Sequence, residues 1–266
     1  MNLLVLLLIL AIGVSLSMAA AWAIALRTGK SGWVDTIWSF TVGFWGIVAC
    51  FAPLDAFESN GARQIIVACL ALVWSGRLGL HILGRTLSGG DDPRYAKLKK
   101  DWGAAYKSRL FWFLQIQAAA ALPLVVAILA AARNPAPSLR IADFIGIAIL
   151  LIAIGGEALA DWQLRRFAKD PANKGEVCDV GLWATSRHPN YFFEWLAWFA
   201  YVAIAIDFSG AYAWGWISLA APALMYWLLV HVSGIPLLEE HMLRSRGAKF
   251  RVYQARVNAF FPGLPT

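Results

Sequence analysis

Seven long hydrophobic runs constrain the fold of this chain more than any other feature. A helix of about 20 apolar residues crosses the hydrocarbon core of a bilayer. Runs near that length occupy residues 2–26, 33–54, 64–85, 110–132, 141–161, 191–208 and 213–232. Backbone groups within lipid must be hydrogen-bonded inside the segment, which favours helices. The sequence therefore predicts an all-α polytopic membrane protein with about seven transmembrane helices, folded as one integral-membrane domain over residues 1–266.

The composition excludes an ordinary soluble domain. Hydrophobic residues make up 60% of the chain, charged residues only 15%, and the mean hydropathy is +0.60. The first run could be read as a secretion signal, because small residues follow Met18. However, no positive charge precedes that run, and it is too long for a signal core. It is therefore interpreted as a membrane helix.

The distribution of basic residues predicts the topology. All but four of the 23 Lys and Arg residues fall in loops on one side, the exceptions being Arg63, Arg77, Arg133 and Arg140. By the positive-inside rule that side is cytoplasmic, which places the N-terminus outside and the C-terminus inside. The net charge of +7 then reflects topology rather than nucleic-acid binding. We expect a monomer in the cell inner (plasma) membrane, with its active site facing the cytoplasm.

The three cysteines, Cys50, Cys69 and Cys178, show no paired metal spacing, and no metal site is expected. Three free thiols, two of them packed in the interior, are the favoured interpretation. A disulfide between Cys50 and Cys69 stays open as an alternative.

Polar residues within the runs concentrate in the predicted cytoplasmic half. Charged groups in hydrocarbon face the bundle interior or water, and by default they mark function. The helical spacing places them on shared faces: Asp35 with Trp38; Arg77, His81 and Arg85; Glu157, Asp161 and Arg165; Asn190 and Glu194; and His231. The pattern predicts one polar cavity open to the cytoplasm. The alternatives are anchors that extend to the interface, and a structural network in which arginines neutralise Glu157 and Asp161.

The segment from Arg187 to Trp195 opens the sixth run with a cation, a titratable ring, an amide and a carboxylate. Pro189 suits the first turn of a helix, and free amides at a helix N-terminus bind anions. Asn190 and Glu194 are one turn apart and share a face. The segment therefore predicts a grip for phosphate or carboxylate at the membrane surface.

The loop before that segment mixes cations, amides and turn glycines between residues 161 and 183, which suits a large polyanion such as a nucleotide. Neither a Rossmann Gly-x-Gly-x-x-Gly nor a phosphate-binding loop is present, so a nucleotide would bind in the helical bundle itself. At the C-terminus, the pattern predicts an amphipathic helix ending at Gly247 and a second short helix through Lys249, Tyr253 and Arg256. These helices either lie on anionic lipid or close over the ligand.

Several short motifs, in this order, resemble the bacterial branch of the membrane steroid 5α-reductase family, of the DUF1295 type. The resemblance extends over nearly the whole chain and depends on the order and spacing of the motifs. They are Asp35-x-x-Trp38, Trp74-x-x-Arg77-Leu78-Gly79, Asp92-Pro93-Arg94-Tyr95, Asp161-x-Gln163, Asn173-x-Gly175, Gly181-Leu182-Trp183, Arg187-His188-Pro189-Asn190-Tyr191 and the tail from Glu239-Glu240 to Tyr253.

The resemblance implies an oxidoreductase that uses NADPH to reduce the C4–C5 double bond of a 3-oxo-4-ene steroid or a similar enone lipid. An acid near the ketone would stabilise the developing enolate, which requires a donor aimed at the oxygen in a dry site. Asp35 matches the acidic residue of the family. By the same resemblance, Trp74 stands where vertebrate members have an assisting tyrosine, which leaves Asp35 alone or helped by another group.

The resemblance also implies how the remaining site residues divide. Residues 1–132 would form the substrate side, with Trp38, Arg77 and His81 at the substrate. Residues 141–266 would bind the cofactor, and Asp161, Asn190 and Glu194 match most securely. The other expected cofactor residues are Arg165, Lys169, Asn173, Lys174, Arg187, His188, Tyr191, Glu239, Arg244, Arg246 and Tyr253.

Two other classes of protein stay open at this point. Isoprenylcysteine and phospholipid methyltransferases, which bind S-adenosylmethionine, resemble the C-terminal half. They do not account for Asp35, Trp38 and Arg77 in the extra N-terminal helices. A transporter or lipid-binding protein would use the cavity as a vestibule, although no inverted repeat or broken helix supports that interpretation.

Overall fold

The computed structural model describes residues 1–55, 60–89 and 93–264, and no strand occurs among them. The helices in this part of the chain are α1 (Leu3–Thr28), α2 (Gly32–Phe51), α3 (Gly61–Leu87), α4 (Pro93–Trp102), α5 (Tyr106–Ala132), α6 (Ile141–Lys169), α7 (Pro189–Ala205), α8 (Ala220–Trp227), α9 (Ile235–Arg246) and α10 (Ala248–Arg256). Short 3₁₀ turns and one π-helical turn, Leu228–Val232, connect some of them. The predicted all-α class is confirmed.

Within the described part of the chain, six helical segments are long and apolar enough to cross a membrane, so the chain is a multi-pass membrane protein. They are Leu3–Thr28, Gly32–Phe51, Gly61–Leu87, Arg94–Ala132, Ile141–Lys169 and Ala213–Arg246. The run predicted at 191–208 forms α7, which has only 17 residues. At 1.5 Å per residue such a helix is about 25 Å long, below the roughly 30 Å of a hydrocarbon core. The seventh span and the side of each terminus stay predictions.

The ends of α1 follow from local chemistry. The Asn2 side chain accepts a hydrogen bond from the Val5 amide at 2.8 Å, which caps the first turn. Gly29 ends the helix with φ of +70°, a conformation that glycine adopts without steric cost, and its amide donates to the Ala25 carbonyl. The short connection that follows lets α2 begin at Gly32.

The chain divides into two compact units. The first comprises Met1–Gly146 and Tyr201–Ala221, and the second comprises Ile147–Ala200 and Pro222–Thr266. The predicted division of labour between residues 1–132 and 141–266 stays a prediction.

Small residues allow the helices of the first unit to approach closely. A Cβ atom on Gly43 of α2 would lie 2.1 Å from the Ser75 hydroxyl of α3, and one on Gly46 would lie 2.6 Å from Ile128 of α5. Small residues at such positions are typical of membrane helix pairs, because apolar lipid leaves van der Waals packing as a main source of association. The sequence of α2 therefore fixes its approach to α3 and α5.

A fully buried arginine, Arg63, lies in the first turn of α3 in this first unit. Arg63 is 0% exposed and donates to both carboxylate oxygens of Asp143, at 2.8 and 3.0 Å. Its remaining protons go to the backbone carbonyls of Asn134, Ala136 and Ser138, at 2.6 to 2.9 Å. A charge in this position is tolerated because every donor direction has an acceptor.

Two neighbouring arginines, Arg133 and Arg140, donate hydrogen bonds to carbonyls at the ends of helices. The Arg133 guanidinium donates to the Ala52 carbonyl, just after α2. Arg140 donates to the Ile204 carbonyl at 2.6 Å, and the Asn134 amide donates to the same carbonyl at 3.1 Å, near the end of α7. The last carbonyls of a helix lack partners within it, so side-chain donors here satisfy groups that lipid could not.

The second unit is held by aromatic packing. A Cβ atom on Gly156 of α6 would lie 2.4 Å from the Phe193 ring of α7, which shows how closely that ring covers the helix. Trp195 packs edge-on against Phe199, with ring centroids 4.8 Å apart, and against Phe260 of the C-terminal segment. The backbone of that segment pairs with the loop before α7, through the Arg187 amide and the Asn258 carbonyl at 2.8 Å.

The expectation of three free thiols is confirmed, with Cys50 and Cys178 buried and Cys69 exposed. No disulfide joins Cys50 and Cys69. The predicted pair of C-terminal helices is confirmed as well, since α9 ends at Arg246 and Gly247 follows with φ of +54°.

Candidate functional site

The first unit brings Asp35, Arg94, Tyr95 and Gln117 together, and we call these four residues the Asp35 cluster. Asp35 lies in the first turn of α2, and its Oδ2 forms an ion pair with the Arg94 guanidinium of α4. Its Oδ1 accepts a hydrogen bond from the Tyr95 hydroxyl at 3.0 Å. The carboxylate is partly buried, with a side-chain exposure of 21%. In this arrangement Asp35 accepts hydrogen bonds and Tyr95 holds the proton between them.

Tyr95 is buried within the cluster, with 4% of its surface exposed. Its hydroxyl oxygen accepts a hydrogen bond from the Gln117 amide of α5 at 3.2 Å. The Tyr95 ring also packs edge-on against Phe113, at 6.4 Å between centroids. Three helices, α2, α4 and α5, therefore meet at one phenol oxygen.

The sequence patterns did not indicate Tyr95 or Gln117 as site residues. The motif Asp92-Pro93-Arg94-Tyr95 is part of the resemblance, but the resemblance implies no role for it. It aligns Trp74, and not Tyr95, with the family tyrosine. Tyr95 is 60 residues from Asp35, so no helical periodicity links the two. The motif itself was the available signal. Asp92 lies outside the described residues.

The other residues predicted for the substrate side lie on α2 and α3. Trp74 is 1% exposed, and Arg77 and His81 are partly buried. The spacing of these three residues places them on one face of α3. Trp38 donates its indole N–H to the backbone carbonyl of Gln117 at 3.2 Å, so its nitrogen already has an acceptor within the protein.

The second unit brings Asp161 of α6 and Asn190 of α7 together, with 3.4 Å between the Asn190 amide nitrogen and the Asp161 carboxylate. Both Asp161 and Glu194 are buried, at 8% and 5% exposure. Glu194 accepts a hydrogen bond from the Trp198 indole at 3.3 Å. Helix α7 begins at Pro189, as its sequence predicts, so the Asn190 amide and the Glu194 carboxylate lie one turn apart on one face of that helix.

Several predicted cofactor residues bind one another around Glu239. Its Oε1 accepts from Arg187 Nε at 2.7 Å and lies 3.1 Å from His188 Nε2. Its Oε2 accepts from the Gln254 amide at 2.6 Å. Arg187 also donates to the Val257 carbonyl at 2.5 Å. These contacts, which we call the Glu239 clasp, join α9 and α10 to the residues just before α7.

Tyr253 reinforces the same region from α10. It is 3% exposed, and its hydroxyl donates to the Trp183 carbonyl at 2.5 Å. Burial raises the pKa of the Tyr253 phenol, so the proton of this hydrogen bond is retained across the neutral range. At the start of α7, the rings of His188 and Tyr191 stack at 5.6 Å between centroids.

The remaining predicted cofactor residues lie around the loop after α6. Arg165, Lys169 and Lys174 are exposed, while Asn173 donates to the Phe167 carbonyl at 3.0 Å. A groove of about 410 Å³ borders this loop and is lined by Phe167, Asn173, Glu176, Val177, Asp179, Lys249, Val252, Tyr253 and Arg256. Of the two predicted tail cations, Arg244 pairs with Glu240 within α9, and Arg246 donates to the Glu176 carbonyl at 3.3 Å.

The family motifs of the second unit meet in space although they are separated in sequence. Gln163 accepts a hydrogen bond from the Leu182 amide at 2.9 Å, and Trp183 donates to the Ala160 carbonyl at 2.9 Å. Gly181 has φ of +61°, and a Cβ atom there would lie 2.5 Å from the Gln163 amide. Glycine is therefore required for this contact.

No group of three or more His, Cys, Asp or Glu residues that could hold a metal ion occurs within residues 1–55, 60–89 and 93–264. The donor sets of the Asp35 cluster, the Glu239 clasp and the Asp161–Asn190 pair are those of acid–base and polar recognition sites.

Comparison with known proteins gives a family and one distant relative. A family model described as "Protein of unknown function (DUF1295)" matches residues 21–257. The uncharacterized protein C594.04c of Schizosaccharomyces pombe is 26% identical, in a match that covers 91% of this chain and 76% of the relative. No solved structure matches the chain. Because the family model covers most of the chain, including the Asp35 cluster, the Asp161–Asn190 pair and the Glu239 clasp, this protein belongs to the DUF1295 family.

Proposed function

We propose that this membrane protein is an NADPH-dependent reductase of an enone lipid, such as a 3-oxo-4-ene steroid. The observation that carries the proposal is the buried Tyr95 hydroxyl, hydrogen-bonded at once to Asp35 and Gln117. A proton donor in a desolvated, preorganised site is what a carbonyl oxygen needs when it gains charge. The DUF1295 family includes steroid 5α-reductase-like proteins, which supports the same class of reaction.

In the proposed reaction the enone carbonyl oxygen lies beside the Asp35 cluster. Asp161 and Asn190 would hold NADPH, which when bound would supply the hydride for the carbon β to the carbonyl. As negative charge develops on the carbonyl oxygen, the Tyr95 hydroxyl turns from Asp35 towards that oxygen, its O–H bond breaks and the proton moves to the carbonyl oxygen. The enol then becomes the saturated ketone: its α carbon takes up a proton from solvent, and its hydroxyl returns a proton to the Tyr95 phenolate. Asp35 orients the hydroxyl, and Arg94 balances the charge of Asp35.

This assignment gives the proton to Tyr95 rather than to Asp35 acting alone. Both Asp35 oxygens accept hydrogen bonds from neighbours, whereas a carboxyl acting as the donor would direct its own proton to the substrate. Tyrosine is a competent general acid, and an indole such as that of Trp74 cannot transfer a proton. Tyr95, and not Trp74, is therefore proposed to supply the proton, with Asp35 assisting it.

The second unit has a donor set that suits NADPH. The Asp161–Asn190 pair presents a carboxylate and an amide, groups that recognise a nicotinamide carboxamide and ribose hydroxyls. Arg165, Lys169 and Lys174 are exposed cations that suit phosphates. Arg187, His188 and Glu239 are proposed to support the site by holding α9 and α10 in place, because they contact one another in the clasp.

The test uses the full chain purified in detergent. We expect it to bind NADPH and to oxidise it when progesterone or testosterone is added. Tyr95→Phe should lower kcat by about 100-fold or more, the usual contribution of a general acid. Asp35→Asn should also lower kcat, because Asp35 orients the Tyr95 hydroxyl. NADPH affinity should stay within about twofold in both variants, because neither residue is assigned to the cofactor.

Tyr226→Phe is the matched control for loss of a phenol, since the Tyr226 ring packs against Phe260 and Phe261 in the second unit. Its turnover should equal that of the wild type. Binding of S-adenosylmethionine without NADPH affinity would contradict the proposal and support a methyltransferase. Wild-type turnover in Tyr95→Phe would remove the phenol from the mechanism.

A further inference from the structure

Gln117 is the one member of the Asp35 cluster that carries no charge and cannot transfer a proton. Its amide nitrogen lies 3.2 Å from the Tyr95 hydroxyl oxygen, and it is partly buried on α5. We propose that Gln117 is a positioning residue that stabilises Tyr95 while its proton is transferred. This inference rests on the proposed reductase function and adds a residue to it.

The chemistry of the contact fixes which partner donates. A phenol has one proton and two acceptor lone pairs, whereas an ionised carboxylate can only accept. Asp35 is paired with Arg94, so the Tyr95 proton is directed to Asp35. The only remaining role of the Tyr95 oxygen towards Gln117 is that of acceptor. Gln117 therefore presents an N–H to the phenol oxygen before any proton moves.

This N–H becomes more important when the Tyr95 proton leaves. The phenolate oxygen would then lie 3.0 Å from an Asp35 oxygen, and two negative groups at that distance repel each other. The guanidinium of Arg94 contacts Asp35 and offsets one of the two charges. The Gln117 amide faces the other. A hydrogen bond to a charged oxygen is roughly twice as strong as one to a neutral oxygen, so the contact strengthens as the reaction proceeds.

The backbone around Gln117 is held in place. Its carbonyl accepts the Trp38 indole N–H at 3.2 Å, which joins α5 to α2 at the residue whose side chain reaches Tyr95. The amide needs no reorganisation when the charge forms, and this is the condition for preorganised stabilisation.

The test is a double-mutant cycle on enone reduction by the full chain in detergent. Gln117→Leu should lower kcat about tenfold, the value of one hydrogen bond to a charged group, with KM for enone and NADPH within about twofold. In the Tyr95→Phe background, Gln117→Leu should cause no further loss, because Gln117 acts only through the phenol oxygen.

A second variant and a control separate this role from folding. Gln117→Glu keeps the shape but removes the N–H and adds charge, so its kcat should fall below that of Gln117→Leu. Gln115→Leu removes an amide from the same helix whose partner is Ser15, at 2.6 Å, and should leave kcat unchanged. Thermal midpoints of all variants report folding.

Two results would overturn the role of Gln117. One is wild-type kcat in Gln117→Leu. The other is a full additional loss in the Tyr95→Phe background, which indicates a structural effect independent of the phenol. If the wild-type chain binds no NADPH and reduces no enone, the proposed function itself fails, and the positioning role fails with it.

Discussion

At the scale of single residues, the fold depends on how buried charges are matched. The Arg63–Asp143 pair is almost completely shielded, with side-chain exposures of 0% and 1%, whereas the Arg256–Asp179 pair is about half exposed. The two pairs have the same chemistry, but they should differ in their energetic effect. A buried charge that loses its partner keeps its desolvation penalty, and an exposed one regains water.

Asp143→Asn should therefore destabilise the protein by about 3 to 5 kcal/mol, because it leaves the Arg63 guanidinium buried without a counter-charge. Asp179→Asn, the matched change at the surface, should cost less than about 1 kcal/mol. The measurement is thermal unfolding of the purified chain in one detergent. Equal midpoints for the two variants would show that the buried ion pair is not a determinant of stability.

At the scale of helices, close approach of α2 and α3 depends on which glycine faces the partner. Gly43 of α2 lies against Ser75, and a methyl group there would contact the serine hydroxyl and its Cβ at 2.1 and 2.3 Å. Ser75 is buried at 4% exposure and its Cβ is fixed to the backbone. Gly76, the next residue of α3, has no atom within 4 Å of the equivalent position.

Gly43→Ala should destabilise the protein by about 1 to 3 kcal/mol through overpacking. Gly76→Ala should be neutral or stabilise by up to about 1 kcal/mol, because alanine is the better helix former. Thermal midpoints of the two variants, measured side by side, test the packing. Stabilisation by Gly43→Ala would contradict the close approach of α2 to α3.

Helix α4 shows why the site could not be found from periodicity. Within one helix, residues three or four apart share a face, and this rule linked Asp161 with Arg165 and Asn190 with Glu194. Tyr95 belongs to a short helix with little hydrophobic signal, and it meets Asp35 of another helix. A contact between helices depends on their packing, for which a single sequence gives no direct rule.

At the scale of the whole molecule, the topology depends on whether the short helix α7 crosses the membrane. If this helix spans, the loop containing Ser209 is external and the C-terminus is cytoplasmic. If its 17 residues do not span, both locations are exchanged. The hydrogen bond from Arg140 to the Ile204 carbonyl places the end of α7 beside the loop between α5 and α6, which favours the first case. The distribution of Lys and Arg supports the first arrangement.

The number of membrane spans can be tested by cysteine labelling on intact cells that express the chain with its three native cysteines replaced. Ser209→Cys should react with a membrane-impermeant maleimide from outside, and Ser245→Cys only after permeabilisation. Ser138→Cys, between α5 and α6, should label from outside for either number of spans and serves as the control. The reverse pattern at Ser209 and Ser245 would show that α7 does not cross.

The sequence by itself determined the helical class, the presence of membrane-spanning helices and the ends of some helices, because hydrophobic length, proline and glycine act locally. Pro189 began α7, and Gly247 ended α9, as local rules predict. The sequence also singled out Asp35, Asp161, Asn190 and Glu194, because polar groups are conspicuous in apolar runs.

Only the tertiary structure decided what these residues touch. It placed Tyr95 and Gln117 beside Asp35, and it joined Arg187 and His188 to Glu239. Each of these contacts joins residues more than 20 positions apart, which lie on different helices or, for Arg187 and His188, on the loop before α7. Their meeting depends on the packing of whole helices against one another. Local propensity and spacing carry no information about that packing, so the chemistry of the phenol became apparent only in three dimensions.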